Sequence, residues 1–161
     1  MALLTMDVHD VPSLAGRSLG TTAWKEITQP VIDLFAEATG DRQWIHTDPQ
    51  RAAKESPFRK TIAHGYFTLS LVPVFFWELL EVTGSRLAIN YGANKVRWPA
   101  PVPIPCRVRM SAKIANVEAF ESGFTLTMDA TIEVENQQKP AMVAEVVFRY
   151  YGLPSRQRRA C

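Results

Sequence analysis

The sequence is poor in the features that announce a specialised chain. Only two cysteines, Cys106 and Cys161, occur in 161 residues. One sits in a proline-rich segment and the other at the last position, so they supply neither a disulfide framework nor a metal-ligand spacing. Such usage fits a reducing compartment, the cytoplasm. Long hydrophobic runs are missing too. Tyr66–Leu80 is interrupted by Thr68, Ser70, Pro73 and Glu78, and it falls short of the roughly 20 residues a bilayer span needs. Ala2–Met6 is too short for a signal-peptide core and has no basic flank. The final Arg159-Ala160-Cys161 is neither a prenylation box nor a peroxisomal address. Charge of one sign is scarce as well. The net charge is +2, and setting aside Arg156, Arg158 and Arg159 leaves the rest of the chain at −1. That is not the footprint of a nucleic-acid binder. No internal repeat or low-complexity segment is visible.

What is present suits one compact domain: 47% hydrophobic and 21% charged residues, in a chain long enough to bury a core without disulfides or a structural metal. The single domain is expected over 1–161, with 1–18 as a flexible extension and 153–161 as a flexible basic tail. The first half reads as helical. Thr21–Thr28 suits a short strand, and Thr28 can cap a helix carrying Val31, Leu34, Phe35 and Ala38 at i, i+3, i+4 and i+7. Pro30 fits the first turn and Gly40 the stop. Asp41–Lys60 reads as a long structured excursion without an element of its own, of the kind that often carries function. Gly65–Leu80 is apolar on nearly every side, which predicts a buried helix, kinked or divided at Pro73.

After Gly84 the period becomes two. Val108, Met110, Ala112 and Ile114 alternate, as do Phe124 to Val134 and Met142 to Tyr150. Lys95–Trp98 suits a further strand, closed by the proline run that follows. An antiparallel sheet with one face buried follows from this pattern. The fold class is α+β, the sheet wrapped around the long helix. Phe67, Phe75, Phe76 and Trp77 read as core or subunit contact.

The chemistry concentrates in the excursion. Asp41 and His46 are five residues apart beyond a helix end, and His64-Gly65 opens the next helix. Alone, Asp41 could be a loop aspartate bonding its own backbone, and His46 a packed histidine. Together, a carboxylate and an imidazole can share one water and move its protons. Asp48 precedes Pro49 and reads as a turn cap. A metal held by Asp41, His46, Asp48 and His64 lacks the i, i+4 pair of a zincin and any nearby thiolate, so none is expected. At Gly65 two readings stand: the orphan N–H of a helix start can meet a substrate oxygen, or the glycine simply relieves crowding.

These residues carry a resemblance. Phe35-Ala36-Glu37-Ala38-Thr39-Gly40-Asp41 with His46, Thr61-Ile62-Ala63-His64-Gly65, and Asn90-Tyr91-Gly92 through Trp98-Pro99-Ala100-Pro101-Val102 resemble the MaoC-like dehydratases. The branch is the one with NodN-like proteins and R-specific enoyl-CoA hydratases, and the match spans roughly residues 20–150 in the family's order. The resemblance implies a hot-dog fold, Asp41 and His46 as catalytic dyad, and the Gly65 N–H as the donor that polarises a thioester carbonyl. It implies a hydro-lyase that needs no cofactor and takes acyl-CoA or acyl-carrier thioesters as substrates. Where family loops often carry Asn-Pro between the two dyad members this chain has Gln43-Trp44, which bears on pocket shape rather than on the reaction.

Substrate contacts are expected from His64, Ser70, Asn90, Lys95 and Arg97, with Arg59 and Lys60 as further cations for CoA phosphates. The resemblance and the strand edges together imply a homodimer with no nucleic-acid or membrane partner. Two other classes stay open. A hot-dog thioesterase would place a carboxylate on the central helix, where Gly65–Pro73 offers none. A non-catalytic acyl-binding module would keep the fold without the turnover.

Overall fold

A computed structural model describes residues 3–152; the basic tail expected over 153–161 lies outside them. Alternation in the second half produces the strands it predicts. These are β5 (Leu87–Arg97), β6 (Cys106–Phe120), β7 (Gly123–Val134) and β8 (Met142–Tyr151). Together with β2 (Ser18–Thr21) and β3 (Lys25–Ile27) they form a six-stranded sheet in the order β2-β6-β7-β8-β5, with β3 also on β6. All these pairings are antiparallel. Along β7, β8 and the Val108–Ile114 part of β6 every second residue is buried, among them Met110, Ile114, Leu126, Met128 and Phe148. Their one covered face supplies most of the core.

The other half of the core comes from the apolar segment after His64, divided as Pro73 requires. It forms α4 (Gly65–Ser70) and α5 (Val72–Leu79), with Pro73 in the first turn of the second, where its missing N–H costs nothing. Phe67, Phe75, Phe76 and Leu79 are buried against the sheet, and Phe76 stacks on Phe148. The pair is not buried all round, however. Tyr66, Val74 and Trp77 face outward, so the apolar surplus of this segment marks a second surface as well as a core. No helix among the described residues is long and apolar enough to cross a membrane.

Three local expectations change. Thr21–Thr28 is not one strand but the end of β2 and then β3, broken where Thr22 exchanges hydrogen bonds with Met110 through its N–H and its hydroxyl. Helix α1 (Gln29–Thr39) runs from Thr28 to a left-handed Gly40, as its signals require. Yet it buries Ile32 and Ala36 and leaves Val31 and Leu34 exposed. The packed stripe is Ile32, Phe35 and Ala36, which shares only Phe35 with the i, i+3, i+4, i+7 pattern. The excursion is not free of elements either, since it contains α2 (Trp44–Thr47) and α3 (Pro49–Glu55). Asp48 caps the second of these, accepting from the Arg51 N–H at 2.9 Å.

The N-terminal stretch is a further correction. Rather than a loose extension, Leu4–Asp7 forms β1 and pairs in parallel with β4 (Leu80–Thr83). The short 3₁₀ turn Val11–Leu14 buries both of its terminal side chains completely. Gly16 and Arg17 then join this stretch to Ile114 on β6. A plug of this kind lacks the periodicity that marks a longer element, and only its packing reveals it. Leu14→Ala is expected to lower unfolding free energy by about 2–5 kcal/mol in urea denaturation, whereas a detached extension would leave the midpoint unchanged.

Candidate functional site

Residues Thr61–Ala63 form the frame on which the site is hung. They run between α2 and the proline-rich segment after β5. The Ile62 N–H donates to Ile45 O at 3.0 Å, the Ala63 N–H to Val102 O at 2.8 Å, and the Ile104 N–H to Thr61 O at 2.9 Å. The Gln29 side chain ties the same frame to α1. Its side-chain NH2 donates to the Asp33 carboxylate and to the His46 backbone carbonyl, each at 2.7 Å, and its amide oxygen accepts from the Thr61 hydroxyl at 2.6 Å. Sequence reading passed over Gln29. Its place one residue before Pro30 in a helical first turn gave no sign of a contact 32 residues away.

His46 leaves α2 as a buried side chain. Its Nδ1 lies 2.6 Å from the Ile62 carbonyl, and a carbonyl oxygen only accepts, so Nδ1 carries the hydrogen and Nε2 keeps its lone pair. Burial pushes the imidazole pKa below its usual 6.5, and neighbouring His64 adds to the lowering; the Ile62 hydrogen bond and the Asp41 charge oppose it. A lowered value keeps the ring neutral at pH 7, the state a general base needs.

Asp41 follows the left-handed Gly40 directly, its side chain more than half exposed at 57%. His64 stands between Asp41 and His46. It is buried, stacks on the His46 ring with centroids 3.8 Å apart, and brings Nε2 to 2.9 Å from the Asp41 backbone oxygen and 4.0 Å from its carboxylate. One ligand atom each from Asp41, His46 and His64 fall within 4.8 Å of one another, a grouping a metal ion could use. The donor set suits it poorly: the His64 Nε2 hydrogen is given to a carbonyl, and its 4.0 Å from the carboxylate exceeds the roughly 3.3 Å edge of a tetrahedral zinc site.

A cavity of about 310 Å³ opens beside this group, lined by His46, Phe58, Gly65, Thr68, Trp98 and Val102 among others. Its wall is chiefly apolar, and Gly65 starts α4 with an N–H that has no partner within the helix. The indole of Trp98 lies directly over this residue. A Cβ on Gly65 would stand 2.9 Å from Trp98 Cε2 and 3.0 Å from Cδ2, so glycine is required by close approach. Phe58 and Trp98 were not read as cavity residues, although Trp98 stands inside a quoted motif. Exposed aromatic side chains in loops carry no periodic signal.

The other anticipated contacts lie elsewhere. Ser70 donates to Phe67 O at 2.7 Å, and with Asn90 it lines a separate cavity of about 350 Å³ between α4–α5 and β5. Lys95 pairs with Glu145 at 3.2 Å, whose carboxyl pKa is lowered by hydrogen bonds from Asn94 and Lys95. The Arg97 guanidinium donates to Val96 O at 2.7 Å. Within one chain the structure therefore joins Asp41, His46, His64 and Gly65, and leaves Ser70, Asn90, Lys95 and Arg97 apart from them.

Comparison with known proteins adds a family to this geometry. Residues 10–138 match the family model described as a MaoC like domain. The 3-hydroxyacyl-thioester dehydratase Z of Mycobacterium tuberculosis is 50% identical over 144 residues, 89% of this chain and 95% of that protein. Nodulation protein N of Rhizobium leguminosarum is 40% identical over 141 residues, 86% and 88% of the two chains. Among solved structures, the (R)-hydratase from A. caviae superposes with a TM-score of 0.67 at 20% identity, covering 87% of this chain and 96% of that one. It shares the hot-dog fold.

Because protonation of buried His46 is disfavoured, its contribution to stability is complete above about pH 6.5. It declines as the pH falls through that value toward the lowered pKa. Titration of the ring by ¹H–¹⁵N NMR should give a midpoint below 6.5, and a midpoint at or above it would contradict the burial argument.

Proposed function

Since the chain belongs to the MaoC-like dehydratase family and is a hydro-lyase, we propose that it hydrates trans-2-enoyl thioesters and, in reverse, dehydrates 3R-hydroxyacyl thioesters. One observation carries this reading: His46, neutral with its Nε2 lone pair free, stands with Asp41 beside the Gly65 end of an apolar cavity. The dehydratase and hydratase names of the relatives support the same reaction.

In this mechanism a water is held by the Asp41 carboxylate and His46 Nε2. One of the pair takes a proton as the water oxygen bonds to the β-carbon of the enoyl thioester. The displaced π electrons move toward the carbonyl oxygen, and the Gly65 N–H stabilises the enolate charge that collects there. A proton then passes from the dyad to the α-carbon. Oxygen and proton arrive from the same side, so the addition is syn; the 3R configuration of the alcohol is what the resemblance to R-specific hydratases implies. No redox cofactor or metal takes part in these steps. The thioester's CoA or carrier arm is the substrate's handle, and Arg59 and Lys60, next to cavity-lining Phe58, are the cations assigned to its phosphates.

The same proposal places the protein as a homodimer in the cytoplasm. Strand β5 is an edge over all 11 residues and exposed on both faces, an arrangement that invites pairing with another chain. Trp77 and Tyr91 are 59% and 54% exposed. The helices and β5 border the same two cavities, so these apolar residues belong to one continuous surface. A second copy is the occupant that symmetry favours.

Hydration of crotonyl-CoA, followed by loss of the enoyl-thioester absorbance, tests the chemistry. Asp41→Asn and His46→Gln should each lower kcat by at least about 10²-fold. Unchanged hydration in both overturns the dyad. Release of free thiol without hydration identifies a thioesterase, and acyl binding without turnover identifies a binding module. Sedimentation should give twice the chain mass of 18.1 kDa, and Trp77→Lys with Tyr91→Lys should return it to one chain; a monomeric wild type overturns the dimer.

A further inference from the structure

His64 enters no step of the reaction, yet it touches both members of the dyad. It is 3% exposed, which removes it from the reach of a CoA handle. Its ring lies between Phe35, with centroids 5.1 Å apart, and His46 at 3.8 Å. Its Nε2–H donates to the Asp41 carbonyl 23 residues away. Its Nδ1 is buried with no hydrogen-bond partner among the described residues.

That unpartnered nitrogen is informative. A buried polar atom without a partner costs stability, and an apolar ring of the same shape would fill the space without that cost. Packing alone therefore does not call for an imidazole. What the imidazole adds is one hydrogen bond, and that bond goes to Asp41. The other hydrogen bonds Asp41 makes among the described residues are long and local. Its N–H reaches Thr39 Oγ1 at 3.4 Å, and its carboxylate accepts from the Gln43 N–H at 3.4 Å. The bond from His64 is what holds this loop to a distant part of the chain.

We propose that His64 is a positioning residue, clamping Asp41 through its backbone carbonyl and His46 through the face of its ring; the inference rests on the hydration reading above. It follows from the geometry that the carboxylate and the His46 lone pair meet one water only while the clamp is closed. Ring stacking on one side and the Ile62 carbonyl at the edge together set the plane of His46. Displacement of about 1 Å in such a pair costs on the order of 10²-fold in rate.

Three variants separate the two contacts. His64→Phe keeps a ring face and removes the donor, His64→Gln keeps a donor and removes the ring, and His64→Ala removes both. Each is followed by thermal melting, by kcat and KM for crotonyl-CoA, and by ¹H–¹⁵N spectra of the histidine rings, of which the chain has three. In His64→Phe, melting near the wild-type temperature is expected, with kcat lowered about 10-fold or more and KM changed by less than about 3-fold. His64→Gln should recover part of the kcat lost in His64→Ala. The His46 ring should give one sharp Nδ1–H signal in wild type and, with the stack gone, a broadened or exchanging one in His64→Ala.

Wild-type kcat in His64→Phe and His64→Ala would overturn the clamp, as would a raised KM with kcat unchanged, which would make His64 a substrate contact. If wild-type protein hydrates no enoyl thioester, the function reading fails and the clamp is judged by the spectra alone. Identical His46 signals in wild type and His64→Ala then overturn it.

Discussion

The hydrogen bond from His46 Nδ1 to the Ile62 carbonyl, 2.6 Å long, is the constraint on which the site depends. It selects the tautomer that leaves Nε2 free, and it fixes the edge of the ring against a frame that cannot move alone. Ile62 is itself held by Ile45 through its N–H, while the flanking residues Thr61 and Ala63 bond to Ile104 and Val102. Four chain segments thus converge behind one imidazole: α1 through Gln29, α2, the frame, and the proline-rich run after β5. A fixed acceptor at Nδ1 is the economical way to orient a general base, because its lone pair is then aimed without any charge being buried beside it.

Burial and exposure are divided between the two dyad members. His46 is enclosed, and its lowered pKa follows from that enclosure. Asp41 stays largely exposed, where water and substrate can reach its carboxylate. A single group cannot be both enclosed enough to stay an uncharged base and open enough to meet water and substrate. The pairing resolves this by giving each residue its own environment, five positions apart in the chain, with the change from a left-handed glycine to the short α2 in between.

The parts of this arrangement visible in the sequence are those with a period or a stop signal. The alternation of Phe124 to Val134 and Met142 to Tyr150 places two strands to within a residue of their ends. Gly40 and Pro73 mark the boundaries they occupy in the structure. Asp41, His46, His64 and Gly65 were readable as a group because each is a residue type with chemistry of its own in a short polar stretch. Long-range contacts leave no such trace. The Gln29 bridge, the β1–β4 pair, the packing of Val11 and Leu14, and the indole over Gly65 all join residues far apart, each by a side chain unremarkable where it stands. Ser70 and Asn90 line a cavity other than the one beside His46, and Lys95 and Arg97 line neither of the two; position along an element says nothing about which cavity its face will line.

Stability and chemistry draw on different residues here. The sheet and α4–α5 are held by burial of side chains such as Phe75, Met110, Leu126 and Met128, none of which has an atom to offer a substrate. Apart from the Gln29–Thr61 side-chain bridge, the site is held by backbone carbonyls and amides, with side chains supplying the polar groups and the rings that orient them. A carbonyl is present whatever side chain its residue bears, so the frame at Thr61–Ala63 can keep His46 in place while the lining at Phe58 and Trp98 changes. The cavity wall can therefore vary without disturbing the His46 tautomer. The exception is Gly65, where the indole leaves no room for a Cβ and wall and chemistry meet at one residue.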